Sequence, residues 1–302
     1  MNTKRIVAII GAVVAALSCS VVASSAVARA EEGCPNLYVV AIPGTWETSD
    51  DAEQELSHGM LSFVTDGLSE SIHAEFVAYP ATAFPWEGEV YGRSKAEAVD
   101  SAREMITEMA RRCAATRIAL LGYSQGADAA GDLAAEIGTG AGAVPPDRIV
   151  AVGLISDPRR SPADILVGPS VDGAGAGGAR VGGFGLLGQR TRSICAVGDL
   201  YCSTSHDDFV TRFAGFVAQV SDPSLANLWQ YQLEAETLLG DLMAGGGITL
   251  LQDQFSDAAN RQRIERLDQF YRSHVHTNYA EYDVGFGKTA TSWMHDWLGS
   301  LG

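Results

Sequence analysis

The chain has 302 residues, of which 46% are hydrophobic, enough to bury one large core as a single domain. Its 37 acidic residues against 21 basic ones give a formal net charge of −16. That balance excludes nucleic acid as a partner, and it excludes anionic membrane surfaces held by charge alone.

The first thirty residues have the pattern of a secretory signal peptide. Lys4 and Arg5 precede an apolar run at residues 6–17, and Ala28-Arg29-Ala30 provides a small-x-small cleavage site. An uncleaved anchor is the alternative, because residues 6–28 are nearly long enough to span a bilayer. We expect cleavage after Ala30 and a secreted or cell-envelope-associated protein, with residues 31–302 forming the mature domain.

Apolar runs of strand length alternate with helical patterns along the following part of the chain. Strands are predicted at residues 37–42, 75–79, 117–121, 148–155 and 193–197, and helices at residues 50–71, 93–113 and 127–136. This alternation predicts an α/β fold in which a parallel sheet is covered by helices on both faces.

A Gly-x-Ser-x-Gly pentapeptide, residues 122–126, lies between the third of these strands and the helix that follows it. Strand, pentapeptide and helix together are the setting of a nucleophile elbow, in which the serine sits in a strained turn at a helix N-terminus. A Gly/Ser turn without chemistry is the alternative. The context favours Ser124 as a nucleophile, and an α/β-hydrolase type of sheet.

A serine nucleophile of this kind works with a histidine base and an acid that orients the histidine, and the three form a catalytic triad. The acid is expected just beyond a strand end, where open α/β sheets gather their functional residues. Asp199 follows the strand predicted at 193–197, and Asp157 follows the strand at 148–155. We favour Asp199, because it lies between Cys195 and Cys202, whose disulfide would fix its loop.

Four histidines follow Asp199, as the order Ser, Asp, His requires of the base, and one of them, His295, lies on the predicted C-terminal helix and is expected to be structural or exposed. His206 opens a helical stretch, whereas His274 and His276 lie in a non-helical segment before the final helix. The residues alone leave this choice open.

Four cysteines remain after the signal segment, and four cysteines allow three pairings. Cys195 and Cys202 bracket a short loop, and Cys34 and Cys113 each lie just ahead of a predicted strand. We therefore expect the disulfides Cys34–Cys113 and Cys195–Cys202. No cysteine and histidine cluster has the spacing of a metal site.

Several of these segments together resemble the cutinases, in particular the cutinase-like esterases of mycobacteria and related actinobacteria. The elbow reads Gly-Tyr-Ser-Gln-Gly, and residues 198–202, Gly-Asp-Leu-Tyr-Cys, resemble the family's acid motif. Tyr79-Pro80-Ala81 and Gly44-Thr45 match two further tracts, and the four cysteines fall where the family's bridges lie. The similarity runs from Cys34 to about Cys202 and resumes near His274.

The resemblance implies a serine esterase that needs no cofactor. The family pattern His-x-x-Tyr fits His276 with Tyr279 and does not fit His274, so it implies the triad Ser124, Asp199 and His276. It also implies an oxyanion hole formed by the backbone N–H groups of Thr45 and Gln125, with the Thr45 hydroxyl as a further donor.

Residues 206–272 form a helical insertion that departs from small cutinases. Helices are predicted at residues 209–220, 224–243 and 254–271, with Gly245-Gly246-Gly247 as a hinge or loop. The insertion either packs on the sheet or forms a partial lid that makes an acyl pocket over Ser124. The glycine-rich segment 168–188 is expected to be a surface loop.

These observations predict a secreted, monomeric serine hydrolase that cleaves lipidic esters such as acylglycerols, phospholipids or envelope lipids through an acyl-enzyme. Peripheral contact with membrane or envelope lipid is expected. Two alternatives use the same residues or scaffold. One is acyl transfer between envelope lipids, and the other is a non-catalytic envelope protein that binds acyl chains.

Overall fold

A parallel sheet of five strands, in the order β2-β1-β3-β4-β5, forms the centre of this computed structural model. The structure describes residues 33–50, 59–225 and 228–302, so the signal segment 1–30 lies outside the described residues. The strands are β1 (Leu37–Ile42), β2 (Ile72–Phe76), β3 (Arg117–Tyr123), β4 (Ile149–Ile155) and β5 (Thr191–Ile194). The α/β fold with a parallel sheet is confirmed.

The helices that cover or extend this sheet are α1 (Gly59–Thr65), α2 (Tyr91–Arg112), α3 (Gln125–Gly138), α4 (Phe209–Gln219), α5 (Leu228–Gly245), α6 (Gly247–Gln254), α7 (Asp257–Ser273) and α8 (Ala290–Gly299). The helix predicted at residues 50–71 is described only as α1, since residues 51–58 lie outside the described part. None of the described helices is long and apolar enough to cross a membrane.

The sheet separates two hydrophobic cores, as the period-2 alternation of strand side chains requires. Tyr38, Val40 and Ile42 of β1 pack into one core with α2 and α3. Leu37, Val39 and Ala41 pack into the other core with α1 and α8. Every residue of β1 is buried, which accounts for its continuous apolar sequence.

Two strands lie at positions that differ from the sequence prediction. The prediction placed β2 at residues 75–79, but the parallel register pairs Leu37 with Ile72 and Ala41 with Phe76. The prediction placed β5 at 193–197, but the strand ends at Ile194. In both segments the apolar run continues past the last residue that pairs with a neighbouring strand. The end of each strand is therefore set by its pairing with that neighbour, and not by the end of the apolar run.

The described residues of the insertion form four helices, α4 to α7, rather than the three expected. The helix predicted at 254–271 is preceded by α6, and Ser256 separates the two by capping α7 through the N–H of Ala259. A small antiparallel hairpin, β6 (Asp283–Gly285) with β7 (Lys288–Thr289), then leads into α8; the sequence did not predict it.

Candidate active site

Ser124 lies at the sharp turn between β3 and α3, with φ 54° and ψ −122°. A side chain at Gly122 or Gly126 would collide with backbone: with Gly126 and Ala127 in the first case, and with Ile42 and Pro43 in the second. Glycine is therefore required on both sides of the serine. The expected elbow geometry is present, and it places the Ser124 hydroxyl at the N-terminus of α3.

His276 connects the serine to the acid. Its Nε2 lies 3.0 Å from Ser124 Oγ, and its Nδ1 lies 2.9 Å from Asp199 Oδ2. The hydroxyl of Tyr123 donates a 2.6 Å hydrogen bond to the His276 carbonyl, and the Tyr201 ring packs 4.5 Å from the imidazole, centroid to centroid. The structure thus brings together the three residues expected to form the triad.

The two alternative histidines do not contact Ser124 or Asp199. His274 is exposed and ends α7 in the left-handed conformation at φ 54°. His206 is also exposed, with Nε2 3.9 Å from Asp241. The two-residue step from His274 to His276 spans a helix end and a short 3-10 turn, so the alternation of an extended strand does not apply, and His276 is the one that contacts Ser124 and Asp199.

The Asp199 side chain is fully buried and accepts four hydrogen bonds. Its Oδ2 accepts from Ser156 Oγ at 2.6 Å, from Tyr279 OH at 2.7 Å and from His276 Nδ1, and its Oδ1 accepts from the Tyr201 N–H at 3.0 Å. Burial alone would raise the pKa of Asp199. The hydrogen bond and charge of His276, with the bonds from Ser156 and Tyr279, outweigh burial and lower it.

The disulfide Cys195–Cys202 closes the loop that carries Asp199, with Cα atoms 5.8 Å apart. Cys34–Cys113 joins the segment before β1 to the end of α2, with Cα atoms 5.7 Å apart. Both expected pairings are present.

Asp157, the alternative acid, belongs to a different network. It is fully buried, and its two oxygens accept from Arg180 Nη1 at 2.6 Å and from Arg180 Nη2 at 3.1 Å. Burial raises its pKa although Arg180 opposes the shift. Arg180 comes from the segment 168–188 expected to be a surface loop, so that expectation is wrong for this residue, which is 7% exposed. An acid paired in this way is not available to the imidazole.

Thr45 and Gln125 lie side by side near the serine, with Thr45 Oγ1 donating to Gln125 Oε1 at 3.3 Å. Gln125 is the first residue of α3, where an N–H has no intrahelical acceptor. Among the described residues, no acceptor meets the Thr45 N–H, whereas the neighbouring Gly44 N–H donates to Glu47 Oε2 at 2.8 Å. Within the described part of the chain, neither expected oxyanion donor has an intramolecular acceptor.

Glu47, which lies outside the sequence motifs described above, orders the turn that carries Thr45. One carboxylate oxygen accepts from Gly44 and the other accepts from the Met60 N–H at 2.8 Å. Burial raises its pKa, and the two backbone hydrogen bonds only partly offset this. Glu47 fixes the position of the Thr45 amide by joining it to α1.

Comparison with known proteins decides the family. The sequence model of the family described as Cutinase matches residues 33–226, more than half of the chain. The chain belongs to the cutinase family. The match covers Ser124 and Asp199 and ends before His276, so the position of the histidine rests on the geometry above.

Cutinase-family relatives include proteins named for ester cleavage. The chain is 35% identical over 202 residues to the carboxylesterase Culp6 homolog of Corynebacterium glutamicum, covering 56% of this chain and 65% of that protein. It is 29% identical over 180 residues to phospholipase Culp4 of Mycobacterium tuberculosis, covering 58% of this chain and 70% of that protein. The match therefore spans just under two thirds of the first relative's length. These relatives are named as a carboxylesterase and a phospholipase.

Among solved structures, the catalytic core domain of acetyl xylan esterase from Trichoderma reesei is similar. It is 19% identical and has a TM-score of 0.45, and the match covers 67% of this chain and 98% of that one.

An exposed aromatic group lies beside the Thr45 turn of this cutinase-family chain. Trp46 is 69% exposed, and its Nε1 donates to Glu87 Oε1 at 3.0 Å. Phe84 and Trp86 stack with ring centroids 4.6 Å apart, and Trp86 is 79% exposed. We call Trp46, Phe84 and Trp86 the aromatic rim. It places apolar surface next to the expected oxyanion donors.

The insertion contains an apolar cavity of about 420 Å³ between α4, α5 and α6. Its lining is wholly hydrophobic: Phe209, Val210, Phe213, Phe216, Ala235, Leu238, Leu239, Leu242, Leu251 and Phe255. No triad residue lines it. The insertion meets the triad instead through α7, whose Phe270 ring lies 6.4 Å from the His276 ring, centroid to centroid.

Buried charges attach the insertion to the main fold. Glu234 of α5 pairs with Arg159, and Gln219 of α4 accepts from Lys95 of α2. Arg159 and Lys95 also pair with Asp132 of α3. Within the described residues, no group of three histidine, cysteine, aspartate or glutamate side chains could hold a metal ion.

Proposed function

We propose that this chain hydrolyses lipidic carboxylic esters, with Ser124 as nucleophile, His276 as general base and Asp199 as the acid that orients the base. The observation that carries the proposal is the continuous path from Ser124 Oγ through His276 to Asp199, with steps of 3.0 and 2.9 Å. Distances of this size allow proton transfer without rearrangement of the side chains.

In the first half-reaction, Ser124 Oγ bonds to the ester carbonyl carbon while its proton passes to His276 Nε2. The tetrahedral oxyanion takes hydrogen bonds from the N–H groups of Thr45 and Gln125. Its collapse breaks the bond to the alcohol oxygen, which takes the proton from His276, and leaves an acyl-enzyme.

In the second half-reaction, water attacks the acyl-enzyme carbonyl and gives a proton to His276. The new tetrahedral intermediate breaks the bond to Ser124 Oγ, which recovers its proton, and the carboxylic acid leaves. The imidazolium formed in each half is stabilised by the buried Asp199 carboxylate, whose lowered pKa keeps it ionised.

Two features support lipidic esters rather than small polar ones. The aromatic rim offers exposed apolar surface beside the oxyanion donors. The insertion, which reaches His276 through Phe270, adds an apolar cavity of ligand size that is separate from the triad. The relative named as a phospholipase supports the same substrate class. Export is also part of the proposal, and the two disulfides support it, because such bonds persist in oxidising compartments.

The test uses p-nitrophenyl esters of increasing chain length and a fluorophosphonate that labels activated serines. We expect turnover that favours medium or long acyl chains and a phosphonate adduct on Ser124. Ser124→Ala should remove nearly all turnover while circular dichroism stays unchanged. A folded Ser124→Ala variant that keeps a tenth of the rate, or an adduct mapped to another residue, would contradict the proposal.

A further inference from the structure

Ser156, at the end of β4, makes contacts that the three triad residues do not account for. Its side chain is completely buried, its Oγ donates to Asp199 Oδ2 at 2.6 Å, and the same Oγ lies 3.1 Å from His276 Nδ1. Ser156, Asp199 and His276 thus form a closed triangle of hydrogen-bonding groups.

The backbone of Ser156 is in a conformation that a residue with a Cβ rarely adopts. Its φ is 55°, in the left-handed region that favours glycine. The Ser156 N–H donates to the Ile194 carbonyl at 2.8 Å, so strand pairing between β4 and the end of β5 holds the residue in place. Strain of this kind persists where the surrounding structure imposes it, and it concentrates at functional sites.

The hydrogen-bond directions in the triangle determine where the imidazole proton lies. Because the Ser156 hydroxyl proton is given to Asp199, only lone pairs of Oγ face His276 Nδ1. Nδ1 therefore faces two acceptors, Asp199 Oδ2 and Ser156 Oγ, and carries the proton. Nε2 is then the unprotonated nitrogen that faces Ser124.

The other groups around Asp199 do not replace this contact. Tyr279 OH accepts from the Ala196 N–H at 2.9 Å and donates to Oδ2, and Tyr201 reaches Oδ1 only through its backbone N–H. Tyr123 binds the His276 carbonyl rather than the ring nitrogens. Of these groups, only Ser156 touches both the carboxylate and Nδ1.

We propose that Ser156 is a positioning residue, whose hydroxyl holds the Asp199 carboxylate and fixes the His276 tautomer in which Nε2 is the base toward Ser124. Only the expected change in kcat rests on the proposed esterase function. The tautomer itself exists in the resting protein, and it can be observed without substrate.

Two substitutions separate the hydroxyl from the strained backbone. Ser156→Ala removes the hydroxyl and keeps the strain, whereas Ser156→Gly removes both. Ser193→Ala is the matched control, because Ser193 is also a fully buried serine, on the neighbouring strand β5, and its Oγ has no hydrogen-bond partner among the described residues. Thermal unfolding of each variant establishes that it is folded; the glycine variant should melt at or above the alanine variant.

The kinetic readout is the separation of kcat from KM on a soluble nitrophenyl ester. We expect kcat to fall about 10- to 100-fold in both Ser156 variants, as for the loss of one hydrogen bond to a charged group, with KM within about twofold of the starting value. Ser193→Ala should keep its kcat. A Ser156→Gly variant with full kcat, or one that changes only KM, overturns the proposal.

The spectroscopic readout is the downfield proton resonance of the His276 Nδ1–H, assigned by its absence in His276→Ala. It should move or disappear in Ser156→Gly and stay in place in Ser193→Ala. An unmoved resonance in Ser156→Gly overturns the proposal. A moved resonance in a protein that cleaves no ester would refute the esterase proposal and leave the role of Ser156 standing.

Discussion

At the scale of single residues, the two histidines near the end of α7 give the sharpest test of the site. His276→Ala should lower ester turnover by about 10²–10⁴-fold, because it removes the base that contacts Ser124. His274→Ala should keep at least about a third of the rate, because His274 is exposed and does not contact the triad. A loss of at most threefold is far smaller than the loss expected on removing a general base. Nitrophenyl ester assays of both variants measure this. A reversed pattern would mean that the segment is displaced by two residues.

Asp199 links the site to the pH dependence of stability. Its pKa is lower in the folded chain than in the unfolded one, so its contribution is complete above the unfolded value of about 4. That contribution is lost as the pH falls through the folded pKa. The melting temperature of Asp199→Asn should therefore lie below that of the unchanged protein at pH 7, and the difference should shrink below about pH 4. A difference that is constant from pH 7 to pH 3 would contradict this sign.

Among the elements, the two disulfides should rank in opposite order: breaking one should cost more stability, and breaking the other should cost more activity. Cys34–Cys113 closes a sequence separation of 79 residues, and Cys195–Cys202 closes one of 7. Loop entropy predicts a loss of about 4.5 kcal/mol when the first is broken and about 2.5 kcal/mol for the second. Breaking the second should nevertheless reduce activity more, because Asp199 lies within its loop.

Paired Cys→Ala variants test this by denaturant unfolding and ester turnover, each measured at a temperature where both variants are folded. Equal loss of activity in the two pairs would show that the short loop keeps its shape without the bond.

The same scale shows what could be predicted from the sequence and what could not. The elbow was predictable because strand, glycines and helix lie within a few consecutive residues, and their conformations are set locally. The bounds of β2 were not, because its register with β1 selects Ile72–Phe76 from a longer extended segment. His276 was chosen by resemblance alone. Ser156 was missed because its role depends on a left-handed backbone and on Asp199, 43 residues later.

At the scale of the whole molecule, a strongly acidic protein carries exposed apolar surface beside its site. The net charge of −16 predicts weak binding to anionic lipid, so apolar contact should dominate at a lipid surface. Trp86→Ser should lower the rate on a neutral triacylglycerol emulsion about tenfold, as expected for losing the burial of one aromatic side chain.

Leu186→Ser is the matched control for Trp86→Ser. Leu186 is 74% exposed, and its neighbour Gly185 contacts Gly138 at the end of α3 opposite Ser124. The control should keep its rate on the emulsion. Equal losses in both variants would show that general surface hydrophobicity, rather than the aromatic rim, governs access to lipid.

The position of the insertion divides the triad in a way that has a practical consequence. Ser124 and Asp199 precede α4, His276 follows α7, and both disulfides among the described residues lie before residue 203. A single protease cut between α4 and α5 would therefore leave two fragments with no covalent link, one carrying the nucleophile and acid and the other carrying the base. Those fragments would form an active enzyme only while noncovalently associated, which makes this chain a starting point for a split-enzyme reporter whose signal depends on reassembly.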